Sequence, residues 1–170
     1  MSNDSIQKST LTKAALSLYD EAYLGPSDPN AGTWFTDNEP KCGFLGSIEA
    51  LSAAEASRPL HRDEPLSIAS HADHLRFALD LANRSTRGEN PYAGADWARS
   101  WDSRAVSEAE WKTLVAALRK EYEDFRIALA TGKAWDDPQS MTGTLGLIAH
   151  GAWHLGAIRQ GLGLVKAPKP

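Results

Sequence analysis

One segment in the second half of the chain repeats apolar residues at the spacing of an α-helix over several turns. Successive apolar residues are separated alternately by four and three positions, at Trp111, Val115, Leu118, Tyr122, Phe125 and Leu129. Such a stripe covers one face of a helix and is typical of a helix in a bundle. Ser107 and Glu110 form a capping-box pattern at its start, and Gly132 follows its last turn. The pattern therefore predicts a long bundle helix between Ser107 and Gly132.

Four further segments carry the same helical spacing. They are residues 10–24, 44–57, 65–84, with Pro65 at a first-turn position, and 140–162. No segment shows a convincing alternation of apolar and polar residues, so no strand is predicted. We expect an all-α fold, a four-helix bundle with one possible accessory helix. The 10–24 and 44–57 helices are either both layers of this bundle or a main helix and an accessory, and the pattern leaves both open.

Two long loops carry aromatic residues. Trp34 and Phe35 lie in the loop 25–41, where aromatics either plug one end of a core or form the wall of a pocket. Trp97 and Trp101 lie in the loop 85–105, spaced to share one face of a short helical turn. We expect Trp97 and Trp101 to anchor their loop rather than to contact a ligand.

Size and charge restrict the class of protein. At 170 residues the chain is expected to form a single domain over 1–170. Its 18 basic and 22 acidic residues are interspersed and give a net charge of −4, which argues against nucleic-acid binding. The single cysteine, Cys42, can form no disulfide within the chain and is expected to be buried or half-buried rather than a nucleophile.

The distribution of apolar residues also bears on location. No apolar run approaches the ~20 residues of a membrane span, and residues 1–9 are polar and lack the apolar core of a signal peptide. Together with the lone cysteine, these features predict a cytoplasmic protein without membrane partners.

Two histidines lie on the predicted 65–84 helix. At about 100° per residue, His71 falls near the centre of the apolar arc and His74 about 60° from that centre. Asp73 falls on the opposite, polar side, so we do not expect it to act as a base at a buried site. Imidazoles that point into a bundle need hydrogen-bond partners or a metal, because an unpaired buried polar group is costly.

A second pair, His150 and His154, lies four residues apart on the predicted last helix. On a helix this spacing stacks the two side chains with about 5–6 Å between their Cβ atoms, so that they can share one metal ion. The same stripe contains Gly143 and Gly161, and we expect these small residues to leave open volume beside the rings.

These four histidines have two interpretations. Each is a core histidine bonded to a backbone carbonyl, or three of them form a metal site with an open coordination position, as neutral imidazoles do in zinc enzymes. The fifth, His61, lies in a loop and is expected at the surface, with a contact to a ligand or substrate as the alternative.

Two stretches resemble motifs of the DinB-like superfamily. The sequence SIASHADHL (67–75) resembles a family motif in which a histidine followed by an apolar residue supplies the first metal ligand. The sequence IAHGAWHLGAIRQ (148–160) is similar to the family's last-helix motif, with paired histidines, a small residue, and then Ile and a polar pair. The Asp96-Trp97 loop and the Trp111 helix also resemble the family, and the likeness extends from about residue 11 to 161.

The resemblance implies a four-helix bundle, often a homodimer, with a divalent metal ion on three histidines. Transferred position by position, the ligands are His74, His150 and His154. His71 departs from the motif and is then a fourth ligand, a residue that hydrogen-bonds to a ligand, or the true first ligand. Imidazole suits several metals, and we expect zinc or nickel ahead of iron.

Three hypotheses about function follow, in descending order. The first is a metal-dependent enzyme that acts on a small molecule, either as a thiol-dependent S-transferase or as a hydrolase; the family includes S-transferases and maleylpyruvate isomerases. The second is a non-catalytic binding or dimerisation module stabilised by the metal. The third is a metal-free helical bundle that dimerises.

Overall fold

The structure is a computed structural model that describes residues 6–28, 30, 32–61 and 65–166. These residues form the α-helices α1 (Lys8–Leu24), α2 (Phe44–Ile48), α3 (Ala53–Ala56), α4 (Ile68–Thr86), α5 (Glu108–Ala130) and α6 (Pro138–Lys166). Short 3₁₀ helices occur at Pro91–Gly94, Arg99–Trp101 and Lys133–Trp135. Within the described ranges there is no strand, only an isolated bridge between Pro59 and Ser67. The predicted all-α bundle is confirmed.

The long helices α1, α4, α5 and α6 form the bundle, in which α4 and α5 run parallel. Near the end of α4, the side-chain amide of Asn83 donates to the backbone oxygen of Glu121 in α5 (2.9 Å). In the first turn of α4, the hydroxyl of Ser70 donates to the backbone oxygen of Ser103, just before α5 (3.5 Å). Parallel neighbours need a long connection, so residues 87–107, the crossover segment, run back along the bundle.

Aromatic rings join α1 to α5 in the core. The ring of Tyr19 stacks on that of Tyr122 with 5.0 Å between centroids, and the Tyr23 ring lies 4.8 Å from that of Tyr19. All three side chains are buried. Gly151 of α6 approaches the ring of Tyr23 so closely that a Cβ there would lie 2.7 Å from Cε2 of Tyr23. α6 therefore packs closely against α1 at Gly151, between His150 and His154.

The predicted 44–57 helix is wrong as a single element, because the segment forms two short helices, α2 and α3. The chain turns at Glu49 and Ala50, and Ser52 then starts a new helix. Its hydroxyl accepts from the backbone N–H of Glu55, whose carboxylate accepts from the backbone N–H of Ser52. This capping box satisfies donors at a helix start and so favours a break there.

The start of α4 also differs from the prediction. Pro65 precedes the helix, which begins at Ile68 with Ser67 as its N-cap. The Ser67 hydroxyl accepts from the backbone N–H of Ser70 at 3.3 Å, and the bridge to Pro59 keeps Ser67 extended. The helix α5 begins with the predicted capping box of Ser107 and Glu110 and ends at Ala130, close to the predicted end.

A buried carboxylate organises the loop after α1. Oε1 of Glu21 accepts the backbone N–H groups of Trp34 (2.8 Å), Phe35 (2.7 Å) and Thr36 (3.0 Å). Phe35 is half-buried against the core. Trp34 is 81% exposed, so the expectation that both aromatics plug one end of the core is wrong for Trp34. On α6, Arg159 donates to the backbone oxygen of Phe35 and so ties this loop to the last helix.

Two other expectations concern Cys42 and membranes. Cys42 is half-buried, as predicted, with its Sγ 3.1 Å from the backbone oxygen of Asp37. Among the described helices, none is both long and apolar enough to cross a bilayer.

Candidate metal centre

Three histidines from two helices converge inside the bundle. His74 from α4 and His150 and His154 from α6 each offer one ring nitrogen, and these nitrogens all lie within 4.8 Å of one another. His154 is fully buried, His74 is 7% exposed and His150 is half-buried. The structure thus brings together the three residues that the family motif indicates.

His154 lies at the centre of the cluster and is engaged through both ring nitrogens. Its Nε2 is 2.9 Å from Nε2 of His150, and its Nδ1 is 2.7 Å from Nδ1 of His71. His71 is therefore behind His154, on the side away from His150. It is not part of the group of three nitrogens that can share an ion.

A serine of the crossover segment fixes the protonation of His74. The Ser100 hydroxyl donates to the backbone oxygen of Trp97 at 2.6 Å, and its oxygen is 2.7 Å from Nδ1 of His74. A hydroxyl has a single proton, so Ser100 accepts from His74, whose Nδ1 carries the hydrogen. The lone pair of His74 is consequently at Nε2, free to bind a cation.

Indole rings of the crossover segment cover the same histidine. Trp101 stacks on the ring of His74 with 4.0 Å between centroids, and Trp97 lies at 5.8 Å. Trp97 and Trp101 thus anchor their loop, as expected, and they do so by packing on the ring of His74. Sequence reasoning missed Ser100, because a serine in a loop carries no signal of what it will contact.

Burial keeps the imidazoles neutral. It lowers the pKa of His71 and His74 to about 4, and that of His154 further below its ordinary value. For His150 burial also lowers the pKa. Desolvation penalises the charged form of each ring, and the neighbouring imidazoles add to this effect at His154 and His74. At neutral pH the cluster therefore presents lone pairs rather than positive charges, which is the form that binds metal ions.

The separations of the ring nitrogens are compatible with a shared divalent ion. With metal–nitrogen distances near 2.0–2.1 Å, two nitrogens of a tetrahedral site lie about 3.3 Å apart. The separation of 2.9 Å between the Nε2 atoms of His150 and His154 is close to this value. The donor set, three neutral imidazoles with two of them buried, is also the set expected for zinc or a similar transition metal.

Asp73 is less exposed than its position on the polar side of α4 predicts. Its side chain is 17% exposed, pairs with Arg76, and accepts from the Ser103 hydroxyl at 2.5 Å. Both of its carboxylate oxygens thus have hydrogen-bond partners, so Asp73 is not available as a free base. His61 is exposed, as expected.

The expectation that Gly161 leaves open volume is wrong. A Cβ at that position would lie 2.3 Å from Cδ2 of Leu60, so Gly161 provides close packing instead. At Gly143 a Cβ would meet nothing within 4 Å. Gly143 lines a cavity of about 1050 Å³ between the C-terminal ends of α4 and α5 and the N-terminal turns of α6. That cavity also reaches Leu147, one helical turn from His150.

The chain matches the model of a known protein family. The model of the DinB superfamily matches residues 43–157, more than half of the chain, and the match contains all three clustered histidines. No curated protein and no solved structure matches significantly. On the family match, the chain belongs to the DinB superfamily.

Proposed function

We propose that this protein is a metal-dependent enzyme that acts on a small molecule, with a divalent ion held by His74, His150 and His154. One observation carries the proposal: ring nitrogens from two helices meet within 4.8 Å in a buried site whose imidazoles are neutral. Membership of the DinB superfamily is consistent with it.

The arrangement favours an open site over a closed structural one. A structural ion is normally surrounded by four protein ligands, whereas catalytic sites keep a position for water or substrate. His71 is the nearest candidate for a fourth ligand, but its Nδ1 is directed at His154. His150 is half-buried and provides the side from which a small molecule reaches the cluster.

When bound, the ion would lower the pKa of a thiol or water in its open position. The residues of this chain have separate tasks. Ser100 holds His74 with Nε2 toward the cluster, while Trp97 and Trp101 keep water from the back of that ring. Transfer of a small thiol to an electrophile is the reaction we place first, and hydrolysis second.

The cavity lined by Gly143 and Leu147 begins one helical turn from His150 and suits the part of a substrate that does not react. Its volume, about 1050 Å³, is just above the usual range for small-molecule pockets. Its walls combine apolar rings and chains with hydroxyl groups, among them Phe125, Leu147, Ser140 and Thr144. Such a lining is compatible with a small molecule that has both an apolar part and hydrogen-bonding groups.

Cobalt substitution tests the proposal directly. Untagged protein is stripped with chelator, loaded with Co²⁺, and titrated with 2-mercaptoethanol while its absorption spectrum is recorded. We expect one Co²⁺ per chain and a new thiolate-to-cobalt charge-transfer band when the thiol is added. The variant His150→Ala should lose both signals. A wild-type chain that takes up no Co²⁺ would exclude the metal enzyme, and Co²⁺ uptake without the thiol band would exclude the S-transferase.

We also propose a homodimer formed through the outer face of α6. Between residues 139 and 164, the exposed positions of this helix carry no charge, and they include Leu145 (52% exposed), Trp153 (60%) and Leu164 (65%). A second copy would present the same uncharged face across a twofold axis. Light scattering should give a dimer mass for the wild type and a monomer mass for the double variant Leu145→Lys, Leu164→Lys; a monomeric wild type would contradict the proposal.

A further inference from the structure

The proposed site leaves one buried histidine without a task. His71 is 4% exposed and lies one helical turn before His74 on α4. Its Nδ1 is 2.7 Å from Nδ1 of His154, a distance at which one nitrogen must donate and the other must accept. This contact has a direction, and the direction depends on what happens at the other side of His154.

The proton of a neutral imidazole can be on only one of its two nitrogens. Without an ion, His154 can donate from Nε2 to His150 and accept at Nδ1, or do the reverse. An ion on Nε2 of His154 needs the lone pair there, which leaves the hydrogen on Nδ1. In that state His154 donates and His71 accepts.

We propose that His71 is a positioning residue, which accepts the Nδ1–H of His154 and thereby holds the Nε2 lone pair of His154 toward the ion. This inference rests on the proposed function. It assigns to His71 one of the three roles that the sequence left open, and it excludes the other two, fourth ligand and first ligand.

Aromatic neighbours restrict the orientation of the His71 ring. Trp101 contacts it edge to face, with 5.3 Å between centroids and an interplanar angle of 88°, and Trp153 lies at 6.1 Å on another side. The ring therefore has little room to turn away from His154. A fixed acceptor fixes the ring that it binds, which is the usual function of the groups behind metal-bound histidines.

The two buried histidines of the cluster are thus held by different acceptors. Ser100 accepts from His74 with an oxygen, and His71 accepts from His154 with a nitrogen. The acceptor of His74 comes from the crossover segment, whereas that of His154 comes from α4. Both acceptors leave Nε2 of their partner directed at the common centre.

Two substitutions at residue 71 separate positioning from packing. In His71→Asn, the Oδ1 atom can occupy nearly the position of the imidazole Nδ1 and can accept from His154. In His71→Leu, a side chain of similar size offers no acceptor. The affinity for Zn²⁺ is measured for each variant by competition with a chromophoric chelator, and the melting temperature of each metal-free variant serves as the control for folding.

We expect His71→Leu to weaken Zn²⁺ binding by about 10- to 100-fold, and His71→Asn to recover most of that loss. The metal-free melting temperatures of the two variants should be similar. Equal Zn²⁺ affinity of His71→Leu and wild type would overturn the inference while leaving the proposed function in place. Wild-type protein that binds no Zn²⁺ would overturn both.

A second measurement needs no variant. In zinc-loaded wild-type protein, long-range ¹H–¹⁵N spectra report which nitrogen of each ring is protonated. We expect hydrogen on Nδ1 of His154 and on Nε2 of His71. A zinc-bound nitrogen on His71, or hydrogen on its Nδ1, would contradict the assignment even if both variants failed to fold.

Discussion

Nδ1 of His74 donates to the hydroxyl of Ser100 across 2.7 Å, so a residue of the crossover segment determines the tautomer of a histidine of α4. The hydroxyl can accept because its own proton is bonded to the backbone oxygen of Trp97. The long connection between two parallel helices thus contributes to the geometry of the cluster.

Removal of this hydroxyl should weaken metal binding. We expect Ser100→Ala to lower the affinity for Zn²⁺ by about 10- to 100-fold, because His74 loses the acceptor that fixes its tautomer and ring orientation. Ser103→Ala is the matched control, since Ser103 is in the same segment but donates to Asp73. Chelator competition measures both, and equal affinities of the two variants would contradict the role of Ser100.

Metal removal should destabilise the fold. An ion that binds only the native state stabilises it, so we expect chelator to lower the melting temperature of zinc-loaded protein by several degrees. His61→Ala should show the same loss, because His61 is exposed and outside the cluster. His150→Ala should melt at one temperature with or without chelator. An unchanged wild-type melting curve would argue against a bound ion.

The close approach of Gly151 to Tyr23 predicts a difference between two glycine substitutions. A Cβ at Gly151 would lie 2.7 Å from Cε2 of a fully buried ring, so Gly151→Ala should lower the free energy of unfolding by about 1–3 kcal/mol. At Gly146 a Cβ meets nothing within 4 Å, and Gly146→Ala should raise that free energy by about 1 kcal/mol because alanine favours helix. Urea unfolding of metal-free protein compares them, and equal effects would disagree with the described packing.

The Glu21 carboxylate should be the main determinant of the loop that follows α1. Glu21→Ala leaves three backbone N–H groups without their acceptor and should lower the free energy of unfolding by about 1–3 kcal/mol. Glu21→Gln retains one carbonyl oxygen and should lose less. Hydrogen exchange at Trp34, Phe35 and Thr36 should accelerate in the alanine variant, and unchanged protection of these amides would refute this explanation.

Local patterns were sufficient for most of the helices. The capping box at Ser107 and the apolar stripe from Trp111 onward depend on residues close in sequence, and α5 follows them. The prediction of one helix over 44–57 is wrong because the apolar spacing continues across Ser52, where a capping box starts a new helix. Pro65 does not start α4 for a related reason, since the hydroxyl of Ser67 caps the helix two residues later.

The histidine cluster was predictable in part. His150 and His154 are four residues apart on one helix, so their proximity follows from helical geometry. Which of His71 and His74 joins them depends on the rotation of α4 about its axis, and that rotation is set by packing in the bundle. Ser100 was beyond sequence reasoning, because only the parallel arrangement of α4 and α5 brings the crossover segment to His74.

The central claim is that one ion binds His74, His150 and His154 together. The most direct measurement is a crystal structure of untagged, zinc-loaded protein with anomalous data collected on both sides of the zinc absorption edge. We predict a single peak per chain at about 2.0–2.1 Å from one nitrogen of each of the three rings. An anomalous map without density between these rings, or with His71 in place of His74 among the ligands, would contradict the account.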